Sequence, residues 1–156
     1  VWQTDQAKIA LAATQIAQKL EERRPPADLD PRQLRNWKPV RRKWFLLVDD
    51  LTLLSPNGPS STLLQPLLPA VESARNLDFH VIASASIDNW YARGGANKLI
   101  QAMQRGGTSA LILDGDKSNV IIDAVRPAAR IPGRGELYLR KEGGQLIQVA
   151  LPPAVD

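Results

Sequence analysis

Five apolar residues running straight into two acids, Trp44-Phe45-Leu46-Leu47-Val48-Asp49-Asp50, are the part of this sequence best equipped for chemistry. A run that is apolar at every position suits a strand buried on both faces, as in a parallel sheet. Such sheets bind their ligands beyond the carboxyl ends of the strands, so carboxylates placed there meet whatever is bound. Read as a Walker B strand, the segment gives Asp49 the task of holding Mg2+ or its water shell. Asp50 would then orient an attacking water. A buried strand can also end in acids merely because a loop begins there, and these seven residues alone leave that reading open.

Further along comes Phe79-His80-Val81-Ile82-Ala83-Ser84-Ala85-Ser86. The carboxyl end of a neighbouring strand is where P-loop NTPases place a γ-phosphate sensor, and Ser84 or Ser86 would supply the hydroxyl. His80 reads as a strand-start residue. The rest of a nucleotide pocket is missing, because no Gly-x-x-x-x-Gly-Lys-Ser/Thr occurs anywhere. Gly115-Asp116-Lys117-Ser118 ends in Lys-Ser but lacks the first glycine of that pattern. The acid before its lysine would repel phosphate, so it reads as a strand-end turn. By itself the chain is expected neither to bind ATP tightly nor to hydrolyse it.

Composition closes off other chemistries. With no cysteine, thiol nucleophiles, disulfide scaffolds, zinc ribbons and iron–sulfur clusters all drop out. One histidine, His80, leaves nothing from which to build a His-based metal cage or a His–carboxylate triad. The net charge of +4 arises from 20 Lys plus Arg against 16 Asp plus Glu. Its excess gathers in Arg32, Arg35, Lys38, Arg41, Arg42 and Lys43, with Arg24 nearby. Such a run can meet nucleic acid, anionic lipid or an acidic partner, or simply keep the following apolar strand soluble. Two Tyr and two Phe are too few for a platform that stacks single-stranded bases.

The elements that must position these residues follow from the pattern. At 156 residues and 44% hydrophobic content the chain has the size and composition of one folded domain. No uninterrupted apolar run exceeds five residues, far short of a membrane span. The amino terminus carries no signal-peptide pattern and does not begin with Met, which reads as a piece of a longer chain. Asp5 is placed to cap a helix whose Ile9, Ala12, Ala13, Ile16 and Leu20 recur at helical spacing until Pro25-Pro26. Asp30-Pro31 opens a short second helix. Strands are predicted at 44–48, 80–85 and 110–113, and helices from Pro66 onward and over 97–104, the latter closed by Gly106-Gly107. Leu63, Leu64, Leu67, Leu68 and Val71 fit a buried helix face better than a docking site. A hairpin is predicted to pair 136–139 with 146–149 across Gly143-Gly144. This alternation implies an α/β layered fold with a mostly parallel sheet, flanking helices and a C-terminal β-hairpin.

In this order the motifs resemble the second half of an FtsK/SpoIIIE-type ATPase domain. Within that family the chain is similar to the C-terminal ATPase module of the EccC proteins of type VII (ESX) secretion. The matching stretches are Pro25-Pro26-Ala27-Asp28-Leu29, then Leu47-Val48-Asp49-Asp50. They continue with Leu67-Leu68-Pro69, Ser73-Ala74-Arg75 and Phe79-His80-Val81-Ile82-Ala83, and close with Val125-Arg126-Pro127 and Pro132-Gly133-Arg134-Gly135-Glu136-Leu137. The resemblance implies a partial RecA-like P-loop NTPase domain over residues 1–156, from Walker B onward, with Asp49 and Asp50 as the catalytic pair. It implies ATP and Mg2+ as cofactors, with Asp49, Ser84 and Ser86 toward the nucleotide and Asp49 toward the metal once a P-loop half is present.

Implied partners are that P-loop half or another copy of the chain, other secretion-machine subunits, and small helical ESX-type substrates recognised by a C-terminal signal. The implied location is the cytoplasmic face of the cell membrane. Departures from the family pattern cut against turnover. The usual Asp-Glu pair is Asp49-Asp50, one methylene short; the translocases' glutamine after the sensor strand falls at Ser86, and the arginine of their Ser-Arg-Thr segment falls at Asn119. Losing such an arginine can cost about 10³-fold in rate. The expectation is a degenerate ATPase of weak or no activity. A fragment of a DNA-translocating FtsK-type motor is the alternative; it would use the basic run on phosphates, and the lack of a winged-helix reader after Leu151 in this stretch is expected to disfavour it.

Overall fold

The computed structural model describes residues 5–38, 42–58, 60–87, 96–116 and 125–150. The described residues up to Ala85, with those of 96–106, form one unit; Ser86 and Ile87, with those from Gly107 onward, form a second.

In the first unit Asp5 caps helix α1 (Gln6–Glu21), its carboxylate accepting the Ala7 and Lys8 N–H groups at 2.9 and 3.1 Å. Helix α2 (Pro31–Asn36) opens on a capping box. The Asp30 carboxylate accepts from the Arg32 and Gln33 backbone, and the Gln33 side chain accepts the Asp30 N–H at 3.0 Å. Strands β1 (Trp44–Val48) and β2 (Phe79–Ala83) pair in parallel, from Trp44 opposite Phe79 to Val48 opposite Ala83. Helix α4 (Lys98–Gly106) starts where the Asn97 side-chain oxygen accepts the Leu99 and Ile100 N–H groups. It packs against α3 (Leu68–Glu72).

The leucine-rich stretch differs from the expected helix. It is broken into a 3-10 turn (Gln65–Leu67), the single-turn α3 and another 3-10 turn (Ala74–Leu77). Pro66 and Pro69 each sit in the first turn of a short element, where their missing N–H costs nothing, and neither lets a preceding helix run through. The burial expected of the stretch does hold: Leu64, Leu67, Leu68 and Val71 are all buried and Leu63 is half-buried. Arg23 is buried as well. Its Nε donates to the Leu77 carbonyl at 2.9 Å and its guanidinium lies 5.7 Å from the Trp44 ring centroid, while its two terminal nitrogens have no hydrogen-bond partner.

A second difference concerns the faces of β1. The sequence suggests burial on both, yet Phe45 and Leu47 are 62% and 71% exposed and Ile82, opposite Leu47, is 58% exposed. Within this unit helices cover one face of the parallel pair and leave the other open.

The second unit is a three-stranded antiparallel sheet, β3 (Ala110–Ile112), β4 (Arg134–Leu139) and β5 (Gly143–Gln148), in that order. The third strand, expected among parallel neighbours, pairs antiparallel with β4. The hairpin forms as expected, but its turn is Arg140-Lys141-Glu142, and the two glycines begin β5, with Gly143 opposite Leu139. Ile112 and Tyr138 form its buried core, flanked by Ile87, Ala110 and Val125. The Gly133-x-Gly135 pattern has a steric cause. Gly133 has φ +78°, and a Cβ on Gly135 would stand 2.9 Å from the Ile112 carbonyl oxygen. Among the described residues no helix is long and apolar enough to cross a membrane.

Leu67 is 0% exposed. Leu67→Ser removes its transfer energy, leaves a cavity and buries a hydroxyl, so the unfolding free energy should fall by about 2–5 kcal/mol. Urea denaturation followed by circular dichroism checks this; an unchanged midpoint would show that the leucines are not core.

Candidate functional site

The hydrogen bonding between β1 and β2 does not stop where the strands do. Because the register sets Val48 opposite Ala83, Ser84 is the first residue past β2 and faces the acids that follow β1. Its N–H donates to the Val48 carbonyl at 2.9 Å, and its carbonyl accepts the Leu51 N–H at 2.9 Å. Its hydroxyl accepts the Asp50 N–H at 3.0 Å and donates to Asp49 Oδ1 at 2.9 Å. The expected carboxylate and sensor serine therefore meet at the carboxyl ends of two parallel strands. The serine's single proton goes to Asp49, and a phosphate oxygen would have to compete with that carboxylate for it.

Asp50 takes another course. Its backbone has φ +56°, unusual for a residue other than glycine, and it caps a 3-10 turn, Leu51–Leu54. Asp50 Oδ1 accepts both the Thr52 hydroxyl at 2.6 Å and the Thr52 N–H at 3.0 Å. The hydroxyl bond first, and the N–H bond second, hold the Asp50 carboxyl below its ordinary value of 3.8. Its carboxylate is turned into its own loop. Thr52 is the functional neighbour that sequence reading missed; the signal was an Asp-x-Thr spacing able to close a side-chain turn.

Asp49 is exposed, with Oδ1 bonded to Ser84. One exposed carboxylate suits Mg2+, which keeps most of its waters and draws its other ligands from phosphates. Among the described residues no group of three or more His, Asp or Glu side chains forms a metal cage. Ser86, the other expected sensor, belongs to the second unit. His80 stacks on Phe45, ring centroids 4.8 Å apart, with a buried, unpartnered Nε2. Lys117, Ser118 and Asn119 lie outside the described residues.

No family model matches. The chain is 32% identical over 143 residues to the ESX secretion system protein EccC of Thermomonospora curvata, covering 84% of this chain and 10% of that protein. It is 29% identical over 144 residues to the ESX-5 secretion system protein EccC5 of Mycobacterium marinum, covering 88% of this chain and again 10% of the relative. The chain thus spans about a tenth of the length of these curated relatives. Among solved structures, the cytoplasmic domain of the T. curvata type VII secretion ATPase EccC matches 96% of this chain and 17% of its own, with a TM-score of 0.81 and 27% identity. T. curvata EccC ATPases 2 and 3 in complex with a signal sequence peptide match equally well, over 27% of that chain.

The fold is that of an α/β segment of a RecA-like P-loop ATPase. More particularly, the chain is homologous to a segment of the EccC ATPases of ESX, or type VII, secretion systems.

The Asp50–Thr52 bond gives a pH test. Asp50's lowered pKa in the folded state means that its stabilisation is complete above its unfolded value and is lost as pH falls through the folded one. Thr52→Val, which deletes the hydroxyl bond, should lower the thermal midpoint by a constant amount at neutral pH. That difference should shrink as the pH drops below 3.8. Melting curves from pH 7 down to about pH 3 read it directly; a difference independent of pH would refute the assignment.

Proposed function

We propose that the chain forms the Walker B side of a degenerate ATPase module of the EccC kind, serving export of secreted proteins by a type VII system. The observation that carries the reading is the pairing of Asp49 with Ser84 at the strand ends while Asp50 is diverted onto Thr52. Asp49 then helps hold Mg-nucleotide, and Asp50, acting as a loop cap, is poorly placed to orient an attacking water. Binding outweighs turnover.

The phosphate cradle comes from a P-loop half that packs on the open face of β1 and β2. The sequence lacks that cradle, and the face carries Phe45, Leu47 and Ile82 uncovered. By its relationship to EccC, one of whose solved structures holds a signal sequence peptide, the whole protein would recognise the C-terminal signals of small helical secreted substrates. It would do so beside other secretion subunits at the cytoplasmic face of the membrane.

Joined to its P-loop half, the protein should bind Mg-ATP and turn it over slowly. Asp49→Ala should weaken Mg-ATP binding in calorimetry more than Asp50→Ala does; the reverse order would overturn the assignment of Asp49. A second experiment addresses the interface. Phe45→Ser with Leu47→Ser should leave the melting point of the isolated chain nearly unchanged, since both side chains are exposed. The same pair should weaken association with the P-loop half at least about tenfold, each lost side chain being worth about 1.5–3 kcal/mol of burial. Unaltered association would place the interface elsewhere.

A further inference from the structure

Part of the basic stretch that the ATPase reading leaves unused, Arg24, Arg35, Lys38 and Lys43, lines one cavity of the first unit. Arg24 beyond α1, Arg35 on α2, Lys38 and Lys43 ahead of β1, and Arg75 ahead of β2 line a groove of about 750 Å³. Lys43 immediately precedes β1 and Asp78, also in the lining, immediately precedes β2. The groove therefore sits at the amino ends of the two parallel strands, and Asp49 sits at their carboxyl ends.

Among the described residues of the lining, Asp78 is the one acid beside five cations. Arg24 is paired with Glu21, and Arg35 Nε donates to the Pro31 carbonyl at 3.2 Å. Lys38, Lys43 and Arg75 have no ion-pair partner among the described residues. Between the cations lie the half-buried Trp37 and the exposed Leu34.

Cations drawn from four separate segments around one concavity repel each other until an anion enters. The groove's volume falls within the range of about 300–1,000 Å³ usual for small-ligand pockets. Duplex DNA calls instead for phosphate contacts spread along a surface. Each phosphate monoester brings about −1.5 to −2 charges, so this lining matches a chain of phosphates better than a single one. A peptide would need several acidic side chains, one charge apiece, inside the same space. Arginine forks pair with phosphate oxygens two at a time, and three arginines are present.

We propose that this groove binds the oligophosphate chain of a small molecule, at a site separate from the Asp49 carboxylate. The chain can come from a nucleoside polyphosphate, with Trp37 and Leu34 receiving the base, or from inorganic polyphosphate.

The test is calorimetric titration of the purified chain with tripolyphosphate and with ATP, in EDTA and low salt so that no metal-dependent site contributes. Saturable binding is expected, with a dissociation constant of about 0.1–1 mM. Lys43→Glu with Arg75→Glu should weaken it at least tenfold, and Asp49→Ala should leave it unchanged. Melting curves confirm that each variant is folded. ATP binding several-fold tighter than tripolyphosphate, with that excess removed by Trp37→Ala, identifies the nucleotide source; equal affinities identify the inorganic chain. Absence of saturable binding by both probes, or insensitivity to the double charge reversal, overturns the proposal. So does tighter binding by an acidic hexapeptide, or sub-micromolar binding of duplex DNA that persists at about 200 mM salt. Because the site is metal-independent and indifferent to Asp49, its failure leaves the Walker B reading untouched.

Discussion

Four hydrogen bonds made by Ser84 to the segment Val48–Leu51 fix the geometry of everything around the carboxylates. Two are backbone bonds that extend the parallel ladder past its last paired residues, and two use the hydroxyl. A side chain of one carbon and one oxygen is suited to this. It reaches the Asp50 N–H as acceptor and Asp49 as donor at once, with no conformational freedom left over. Parallel strands impose the arrangement, since both chains leave the sheet at the same end and their loops must satisfy each other's polar groups there.

The two acids after β1 diverge because their backbones diverge. Asp49 lies in the bend just past β1, and its carboxylate accepts the Ser84 hydroxyl. Asp50 enters a positive-φ conformation and closes a side-chain turn with Thr52, the local competition with regular structure that short polar side chains offer. A glutamate at that position would reach one methylene further. Asp50 is thus committed to a loop that uses its carboxylate as a cap.

The strand pair has two ends and two faces, and each is committed differently. Helices bury one face, while Phe45, Leu47 and Ile82 leave the other apolar and open. The carboxyl end carries the acids and the amino end carries cations around a groove. Charge is thereby segregated along the strands, negative at their carboxyl ends and positive at the opposite end.

Sequence alone determined the features that depend on neighbours in the chain. The caps at Asp5 and Asp30, an end of the first helix ahead of Pro25-Pro26, the strand at 44–48, the second strand (predicted over 80–85, found at 79–83) and the adjacency of Asp49 and Asp50 were legible, because capping, proline geometry and apolar runs are local effects. So was the family, since several weak motifs in a fixed order are together specific. Three things required the folded chain. The apolar composition of β1 could not reveal which of its faces lacks a covering layer, because composition records the preference for burial and not the partner that provides it. The pairing of β3 with β4 depends on long-range register, to which a three-residue apolar strand contributes little. The division of labour between Asp49 and Asp50 was decided by one backbone torsion and by a serine 34 positions away from Asp50. Residue types state what chemistry is available; only tertiary contacts assign each lone pair and proton to a partner.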